Sequence, residues 1–335
     1  MNAVVQAPAA SAPAEMKTMA AVALALRDSM ADDPRVVVMG EDIGAPGGSF
    51  KATRGLLDEF GPQRVIDTPI SEASIVSAAV GAALSGLRPV VEIMFMDFVT
   101  LAMDALVNQA AKARFMFGGQ CSVPMVLRTP HGGGLNAGPQ HSQCLEAWLA
   151  HVPGLKVVCP ATPGDAYTLL RAAIRDPDPV VFVEHKGLYG SKGLVDRTAT
   201  ASIGSARIVR SGRDATVVTY GATVAAALEA ARQLAAEGVE VEVIDLRSLQ
   251  PWDRATVLGS LARTHRAVVA HEAVQAFGVG AEIAATLVDE GFDDLDAPVL
   301  RVGAPFMPVP FAKSLEQGYN VGAAGIVAAL RRTLE

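Results

Sequence analysis

The sequence has few cysteines, no excess of positive charge and no long apolar run, and each shortage excludes a class of protein. Its three cysteines, Cys121, Cys144 and Cys159, lack metal-ligand spacing, and so sparse and odd a count is typical of reduced thiols in a cytoplasm. The net charge is −7, so no nucleic-acid partner is expected, because phosphate binding requires a basic surface. The most apolar stretch, residues 73–87, contains three serines and is too short to cross a bilayer, so no membrane association is expected.

Familiar hydrolase, zinc and dithiol motifs are also missing. The chain contains no Gly-x-Ser-x-Gly, His-Glu-x-x-His or Cys-x-x-Cys sequence. Its start is rich in alanine and proline but has neither the basic region nor the long apolar run of a signal peptide. Residues 1–15 are therefore predicted to form a flexible tail.

Hydrophobic residues make up 50% of the 335 residues, charged residues only 19%, and the mean hydropathy is +0.31. At about 100–200 residues per domain, this length predicts two domains. An apolar composition fits a large core of buried parallel strands, and it equally fits surface buried against partner chains. Composition alone leaves both interpretations open.

Short apolar runs alternate with helical patterns, which predicts an α/β fold with parallel sheets covered on both faces. In the first part, strands are predicted at residues 35–40, 89–95, 124–128, 155–159 and 179–184, and helices at 16–30, 73–85, 98–117 and 163–175. After a polar break, strands are predicted at 215–220, 239–246, 266–271 and 298–302. The predicted organisation is a tail (1–15), a first domain (16–195), a linker (196–212) and a smaller second domain (213–335).

Three features of the chain carry candidate chemistry. Glu72 lies where a short extended segment meets a helix of small residues; it is either a helix-capping glutamate or a buried carboxylate at an interface. His141 lies in a glycine-rich loop, residues 131–143, which favours a site-lining role over a structural one. His271 and Glu272 end a predicted strand, a position where α/β domains bind ligands, although a structural turn is the simpler interpretation. Arg114 is expected to pair with an acidic residue.

Together, seven short motifs resemble those of the β subunits of thiamin-diphosphate-dependent 2-oxoacid dehydrogenases and acetoin dehydrogenases. The resemblance covers about residues 16–335. The motifs are GED at 40–42, DTPISE at 67–72, RPVVE at 88–92, NQAAK at 108–112, QHSQ at 140–143, PGLKVV at 153–158 and IDLRSL at 244–249. The resemblance implies a pyrimidine-binding domain of the transketolase type followed by a transketolase-like C-terminal domain.

The resemblance also implies roles for individual residues. Glu72 matches the glutamate that binds the aminopyrimidine ring of thiamin diphosphate, and His141 matches the active-site histidine. Ile70, Met94 and Phe98 match positions that pack around the pyrimidine ring, although some relatives have glutamine in place of Met94. A cofactor of this kind supplies the carbanion chemistry, while the protein supplies orientation and control of protons.

A partner chain is implied by what the sequence does not contain. The family holds the cofactor's diphosphate through Mg²⁺ on a Gly-Asp-Gly motif with a downstream asparagine. The closest match here, residues 164–166, reads Gly-Asp-Ala, and no asparagine follows it nearby. The resemblance therefore implies that an α subunit holds the Mg²⁺ and the diphosphate, in a heterotetramer of two α and two β chains.

Some members of the family also bind a structural K⁺ ion, mainly through backbone carbonyl groups. Five residues match its ligand positions: Met125, Ala173, Ile174, Asp176 and Asp178. The two aspartates flank Pro177, so turn formation explains them equally well.

The sequence leaves the substrate open. MFGG at 116–119, CPATP at 159–163 and EHKGLYG at 184–190 resemble acetoin-type β subunits most, whereas PVPF at 308–311 is shared more widely. We therefore expect a cytoplasmic subunit that cleaves acetoin and passes the acyl group to a lipoyl-bearing acyltransferase. Pyruvate is the second choice and a branched-chain 2-oxoacid the third. Two alternatives remain: a non-catalytic assembly subunit, and a self-sufficient transketolase-like enzyme.

Overall fold

Two α/β units, each built on a mostly parallel sheet, are seen in a computed structural model that describes residues 12–335. The α/β prediction is confirmed, and most of the predicted strands and helices are present within a few residues. Most of the predicted tail, residues 1–11, lies outside the described residues. Among residues 12–335, every helix is too short or too polar to cross a membrane.

The strands are numbered in chain order. They are β1 (Ala14–Lys17), β2 (Val36–Gly40), β3 (Val65–Asp67), β4 (Arg88–Glu92), β5 (Val126–His131), β6 (Lys156–Val158), β7 (Val180–His185), β8 (Lys192–Val195), β9 (Arg207–Arg210), β10 (Ala215–Thr219), β11 (Val241–Asp245), β12 (Ser248–Gln250), β13 (Ala267–Val274) and β14 (Leu300–Ala304).

The α-helices are α1 (Thr18–Asp32), α2 (Leu56–Phe60), α3 (Glu72–Leu84), α4 (Met96–Val99), α5 (Ala111–Met116), α6 (Glu146–Ala150), α7 (Pro163–Arg175), α8 (Thr223–Ala235), α9 (Arg254–Thr264), α10 (Val279–Glu290), α11 (Lys313–Tyr319) and α12 (Ala323–Leu334). A 3-10 turn (Thr100–Ala102) and a π-helical segment (Asp104–Ala110) connect α4 to α5, so the helix predicted at 98–117 changes its winding along its length.

The first unit is a seven-stranded sheet in the order β12-β6-β7-β5-β4-β2-β3, parallel except for β12. Its central strands are buried along their whole length, which explains why they read as continuous apolar runs. Helices α1 and α7 pack together in the core cluster on one face, and α3 contributes to the cluster on the other. Thr162 caps α7 as its sequence predicts, accepting a hydrogen bond from the Asp165 amide at 3.2 Å.

The second unit is a five-stranded sheet in the order β14-β13-β10-β11-β9, in which only the edge strand β9 is antiparallel to its neighbour. The two units share one hydrophobic core, because Tyr220, Ile244 and Ile283 of the second unit belong to the same buried cluster as Val91 and Leu127 of the first. The units are therefore packed against each other rather than loosely tethered.

The structure differs from the predicted boundaries in three places, each through strand pairing. The tail was predicted to extend to residue 15, but β1 begins at Ala14 because residues 14–17 pair with β8. The predicted linker, 196–212, contains β9, which pairs with β11. Strand β12, which lies within the predicted second domain, joins the sheet of the first unit through β6. All three pairings connect segments far apart in the sequence, which local patterns do not reveal.

A buried ion-pair cluster ties together the three central strands of the first unit. Arg128 of β5 is 1% exposed. Its Nε and Nη2 atoms donate to the Glu184 carboxylate of β7 at 2.7 and 2.8 Å, and its Nη1 donates to Glu92 of β4 at 2.6 Å. The Tyr189 hydroxyl also donates to Glu184, at 2.7 Å. Burial raises the pKa of Glu92, against the opposing effect of the Arg128 charge. The guanidinium is thus the counter-charge for two buried carboxylates.

Replacing this guanidinium tests its structural role. Arg128→Met should lower the free energy of unfolding by about 3–5 kcal/mol, because Glu92 and Glu184 would remain buried without a counter-charge. Arg213→Met is the matched control: the Arg213 side chain is 80% exposed, so its loss should stay within about 1 kcal/mol. Denaturant unfolding of the three proteins measures the difference, and equal losses for the two variants would contradict the assignment.

Candidate active site

The carboxyl ends of five parallel strands meet along one edge of the first sheet, in the order β3-β2-β4-β5-β7. The strand register aligns Gly40 with both Asp67 and Glu92, Glu92 with Arg128, and His131 with His185. The segments that leave these strands therefore begin side by side. Residues 68–72, 93–98 and 132–141, which carry every predicted cofactor or catalytic residue, all leave this edge. Such an edge is where open α/β sheets bind ligands.

Glu72 is the first residue of α3, so its carboxylate lies at the positive end of the helix dipole. The residue is only 7% exposed, and within residues 12–335 its carboxylate has no hydrogen-bond or ion-pair partner. Neither Glu72 oxygen is among the fully buried unpaired atoms, so the carboxylate reaches the open surface of the site. Such a group has free acceptor capacity for a proton donor on a ligand.

Glu41, which directly follows β2, lies near Glu72. Burial raises the pKa of Glu41, and the negative charge of Glu72 raises it further. The Oε1 atom of Glu41 is buried without a hydrogen-bond partner in the described part of the chain. Burial and the neighbouring negative charge thus both favour the protonated form of Glu41.

The predicted pyrimidine-packing residues differ in exposure. Ile70 is 81% exposed, so this large apolar side chain is mostly uncovered by the rest of residues 12–335. Met94 and Phe98 are half-buried, and the Met94 sulfur lies 3.6 Å from the Ser49 hydroxyl. The site is thus open on the side where Ile70 lies.

The His141 ring is held by two phenylalanine rings. Its centroid lies 4.9 Å from that of Phe95 and 5.5 Å from that of Phe98, both in edge-to-face orientation. The Lys186 ammonium group donates a hydrogen bond to the His141 carbonyl oxygen. Neither ring nitrogen of His141 has a hydrogen-bond partner within residues 12–335, so both are available to a ligand.

The glycine-rich loop passes closely over the residues beneath it. Gly132 has φ +86°, and a Cβ atom there would lie 2.2 Å from His185 Nε2. His185 is fixed in turn by Glu272, whose Oε2 lies 2.6 Å from Nε2. Only glycine adopts that φ angle without strain and also leaves room for the His185 ring. The glycines of this loop therefore allow close packing against the second unit as well as chain flexibility.

Under the loop, a buried cluster joins the two units. His131 Nδ1 lies 3.3 Å from Glu146 Oε2, and the Tyr220 hydroxyl donates to Glu146 Oε1 at 2.8 Å. Burial favours the protonated form of Glu146, but His131 and Tyr220 outweigh it and lower the pKa. The neighbouring Cys144 and Cys159 are free thiols whose pKa burial raises. Within residues 12–335, His131 Nδ1 and Glu146 Oε2 in this cluster have no hydrogen-bond partner, although the two atoms face each other.

Asp165, the nearest match to a magnesium-binding motif, is already paired. Its carboxylate lies 2.6 Å from Arg207 and 3.4 Å from Arg247, and its amide belongs to the cap of α7. With two guanidinium groups on it, this carboxylate does not fit a magnesium ligand. The residues at the sheet edge thus fit the pyrimidine half of the cofactor, and Asp165 does not fit the metal that would hold the diphosphate half.

The residues predicted to bind K⁺ lie around the amino end of β5 and the end of α7, away from the sheet edge that carries Glu72. The Arg88 guanidinium donates to the carbonyl oxygens of Ile174 at 2.8 Å and Asp176 at 3.2 Å. Lys156 lies 2.7 Å from the Asp176 carboxylate and 3.6 Å from that of Asp178. Arg114 pairs with Asp178, as an ordinary helix charge is expected to do. Basic side chains therefore already contact three of the five residues, Ile174, Asp176 and Asp178. Potassium binding here stays a prediction.

Four contributors to the site were not assigned by sequence reasoning. Glu41 stands in a quoted motif but received no role, and Lys186 contacts His141 from the turn after β7. Glu272 had been interpreted as part of a structural turn, whereas its Oε1 accepts a hydrogen bond from the Gly133 amide at 2.6 Å. Glu316, on α11, showed no sequence signal at all. The position of Glu41 directly after a buried strand was the one available clue.

Two known domain families match most of the chain. Residues 14–192 match the pyrimidine-binding domain of transketolase, and residues 204–326 match the transketolase C-terminal domain. Among solved structures, a chain titled "Split gene transketolase, inactive beta4 tetramer" superposes with a TM-score of 0.80 at 25% identity, covering 95% of this chain and 98% of that one.

Relatives of known name are similar over nearly the full length. The mitochondrial pyruvate dehydrogenase E1 component subunit beta-2 of Oryza sativa subsp. japonica is 47% identical, covering 96% of this chain and 87% of that protein. The acetoin:2,6-dichlorophenolindophenol oxidoreductase subunit beta of Cupriavidus necator is 47% identical, covering 93% and 95%. The 2-oxoisovalerate dehydrogenase subunit beta of Bacillus subtilis is 41% identical, covering 96% and 99%.

Proposed function

Because this chain belongs to the family of transketolase-like β subunits of pyruvate, acetoin and branched-chain 2-oxoacid dehydrogenases, we propose that it forms the pyrimidine-binding half of a thiamin-diphosphate site and acts with an α subunit. The observation that carries the proposal is Glu72, a largely buried residue whose carboxylate has no partner in residues 12–335, at the sheet edge that it shares with His141. When bound, thiamin diphosphate supplies the carbanion chemistry that breaks the bond beside a carbonyl group.

The chain's own residues orient the cofactor and control protons. Glu72 would face a pyrimidine ring nitrogen and hold a proton between its carboxylate and that nitrogen. Ile70, Met94 and Phe98 pack around the pyrimidine ring and exclude water. His141 moves a proton to or from the substrate, or orients the acyl group for transfer; an imidazole changes charge near neutral pH, which suits either task.

The partner requirement rests on three observations. The only near match to a magnesium motif is Asp165, which two arginines occupy. Ile70 is exposed beside the site. The solvent-facing side of α3 carries small residues such as Ser77, Ala78 and Gly81, which allow another helix to approach closely. The α subunit would hold Mg²⁺ and the diphosphate, in an assembly of two α and two β chains. The structural neighbour's β-only tetramer is titled inactive, which supports the same division of labour.

The proposal extends to the downstream acceptor and to the location of the enzyme. We propose that the α–β enzyme passes its acyl group to a lipoyl-bearing acyltransferase core and works in the cytoplasm, although the plant relatives are named as mitochondrial. The non-catalytic assembly alternative is disfavoured because Glu72 and His141 are both present at the site edge. The self-sufficient alternative is disfavoured by the pairing of Asp165.

Replacing Glu72 tests the catalytic assignment. In the reconstituted α–β enzyme, Glu72→Gln should lower turnover by on the order of 100-fold or more, because the neutral amide cannot hold the proton at the ring. Assembly, followed by size-exclusion chromatography, should be unchanged. Glu282→Gln, at an exposed position on α10, is the matched control and should keep full turnover. Full activity of Glu72→Gln would rule out the assignment and favour an assembly subunit.

A substrate panel decides among the three dehydrogenase types. The pyruvate and acetoin relatives are equally similar to this chain, at 47% identity, so identity does not separate them. Three segments, at 116–119, 159–163 and 184–190, favour acetoin. We expect the α–β pair, assayed with an artificial electron acceptor, to give its highest kcat/KM with acetoin, then pyruvate, then 2-oxoisovalerate. A preference for 2-oxoisovalerate would contradict the acetoin assignment while leaving the cofactor role intact.

A further inference from the structure

The backbone of the glycine-rich loop, residues 131–143, is held by carboxylates of the second unit. The Gly133 amide donates to Glu272 Oε1 at 2.6 Å. The Gly134 amide donates to Glu316 Oε1 at 2.9 Å, and the Asn136 amide donates to Glu316 Oε2 at 3.0 Å. Three amides within four residues thus point at two acids that lie about 140–180 positions away in the sequence. Hydrogen bonds to ionised acceptors are stronger than neutral ones, so these contacts define the loop's path.

Both hydrogen bonds of the Glu316 carboxylate are to the glycine-rich loop. The residue lies on α11 and is 2% exposed. Both of its carboxylate oxygens accept from loop amides, and within residues 12–335 no basic side chain pairs with it. A Cβ atom on Gly133 would lie 3.2 Å from Glu316 Oε1, so glycine is what lets the loop come this close. A buried carboxylate is costly unless it is hydrogen-bonded, and the loop amides supply those bonds.

Glu272 also supports the loop through His185, against which Gly132 packs. Its Oε2 atom lies 2.6 Å from His185 Nε2, beneath Gly132. The next residue, Lys186, donates to the carbonyl oxygen of His141. One end of the loop therefore rests on Glu272 and His185, its middle on Glu316, and its His141 end on Lys186. Each support comes from a different element, and two of them belong to the second unit.

We propose that Glu316 and Glu272 are positioning residues: through the glycine-rich loop, the second unit sets the place of the His141 ring at a site built on the first unit. The proposal rests on the function proposed above for His141. In this role both acids act through the loop backbone, whose amides they hold. The geometry explains why a catalytic histidine can stand on a run of glycines and still have a fixed position. It also gives the second unit a part in positioning a catalytic side chain of the first unit.

The test measures loop order and turnover separately, in the full chain assembled with its α partner. Glu316→Gln keeps the size of the side chain but leaves only one acceptor for two amides. Amide hydrogen exchange in residues 132–143 should quicken by roughly tenfold or more. The kcat should fall by about tenfold with a smaller change in KM, because an imidazole out of place slows the proton step more than binding. Glu272→Gln is the second variant and should quicken exchange at Gly133. Glu282→Gln, exposed on the same unit, should change neither measurement.

The outcomes separate this proposal from the proposed function. Unchanged loop exchange in both variants would overturn the positioning role, as would faster exchange spread evenly over the second unit, which marks general destabilisation. Fast loop exchange with an unchanged kcat would also overturn it. If His141→Ala keeps full turnover, the proposed function of His141 fails, whereas the exchange data still report whether Glu316 orders the loop.

Discussion

The Arg128 guanidinium between Glu92 and Glu184 is the interaction on which the rest of the structure depends. It joins the middle of β5 to the last residue of β4 and the next-to-last residue of β7. The segments that follow these strands carry Met94 and Phe98, the glycine-rich loop with His141, and Lys186. Because one buried cation neutralises two buried carboxylates, the three strands are fixed relative to one another where precision matters for chemistry. This cluster therefore fixes the relative positions of the segments that carry the site residues.

In the proposed function, the site at that edge is half of a larger one. Glu41 and Glu72 lie near each other, without an ion-pair partner in residues 12–335, while Ile70 is exposed beside them. The second unit lies on the other side of the site. There, burial favours the protonated form of Glu272, but contacts such as those with His185 and the Gly133 amide outweigh burial and lower the pKa of Glu272 to about 2. Glu272 is therefore ionised throughout the physiological range, and it loses its charge only as the pH falls through about 2. Acidic groups thus lie on both sides of the site, and those of the second unit hold the loop.

The sequence predicts local features well and long-range ones poorly. Apolar runs such as residues 35–40 and 179–184 identify buried parallel strands, because such strands are apolar on both faces. The Thr162 cap is readable because capping is local. Residues Glu272 and Glu316 could not be linked to His141, because nothing in the sequence says which loop amides they meet after folding. Strands β1, β9 and β12 were missed for the same reason, since each is defined by a distant partner. The roles of Glu72 and His141 came from family resemblance, with residue chemistry alone leaving each of them two interpretations.

The central claim is that this chain holds one end of thiamin diphosphate and depends on an α subunit for the other. Isothermal titration calorimetry with thiamin diphosphate and Mg²⁺ tests it most directly, using this chain alone and then the α–β pair. The account predicts no saturable binding to the chain alone at micromolar cofactor, and one site per β chain in the pair. Saturable, magnesium-dependent binding to the chain alone at those concentrations would contradict it.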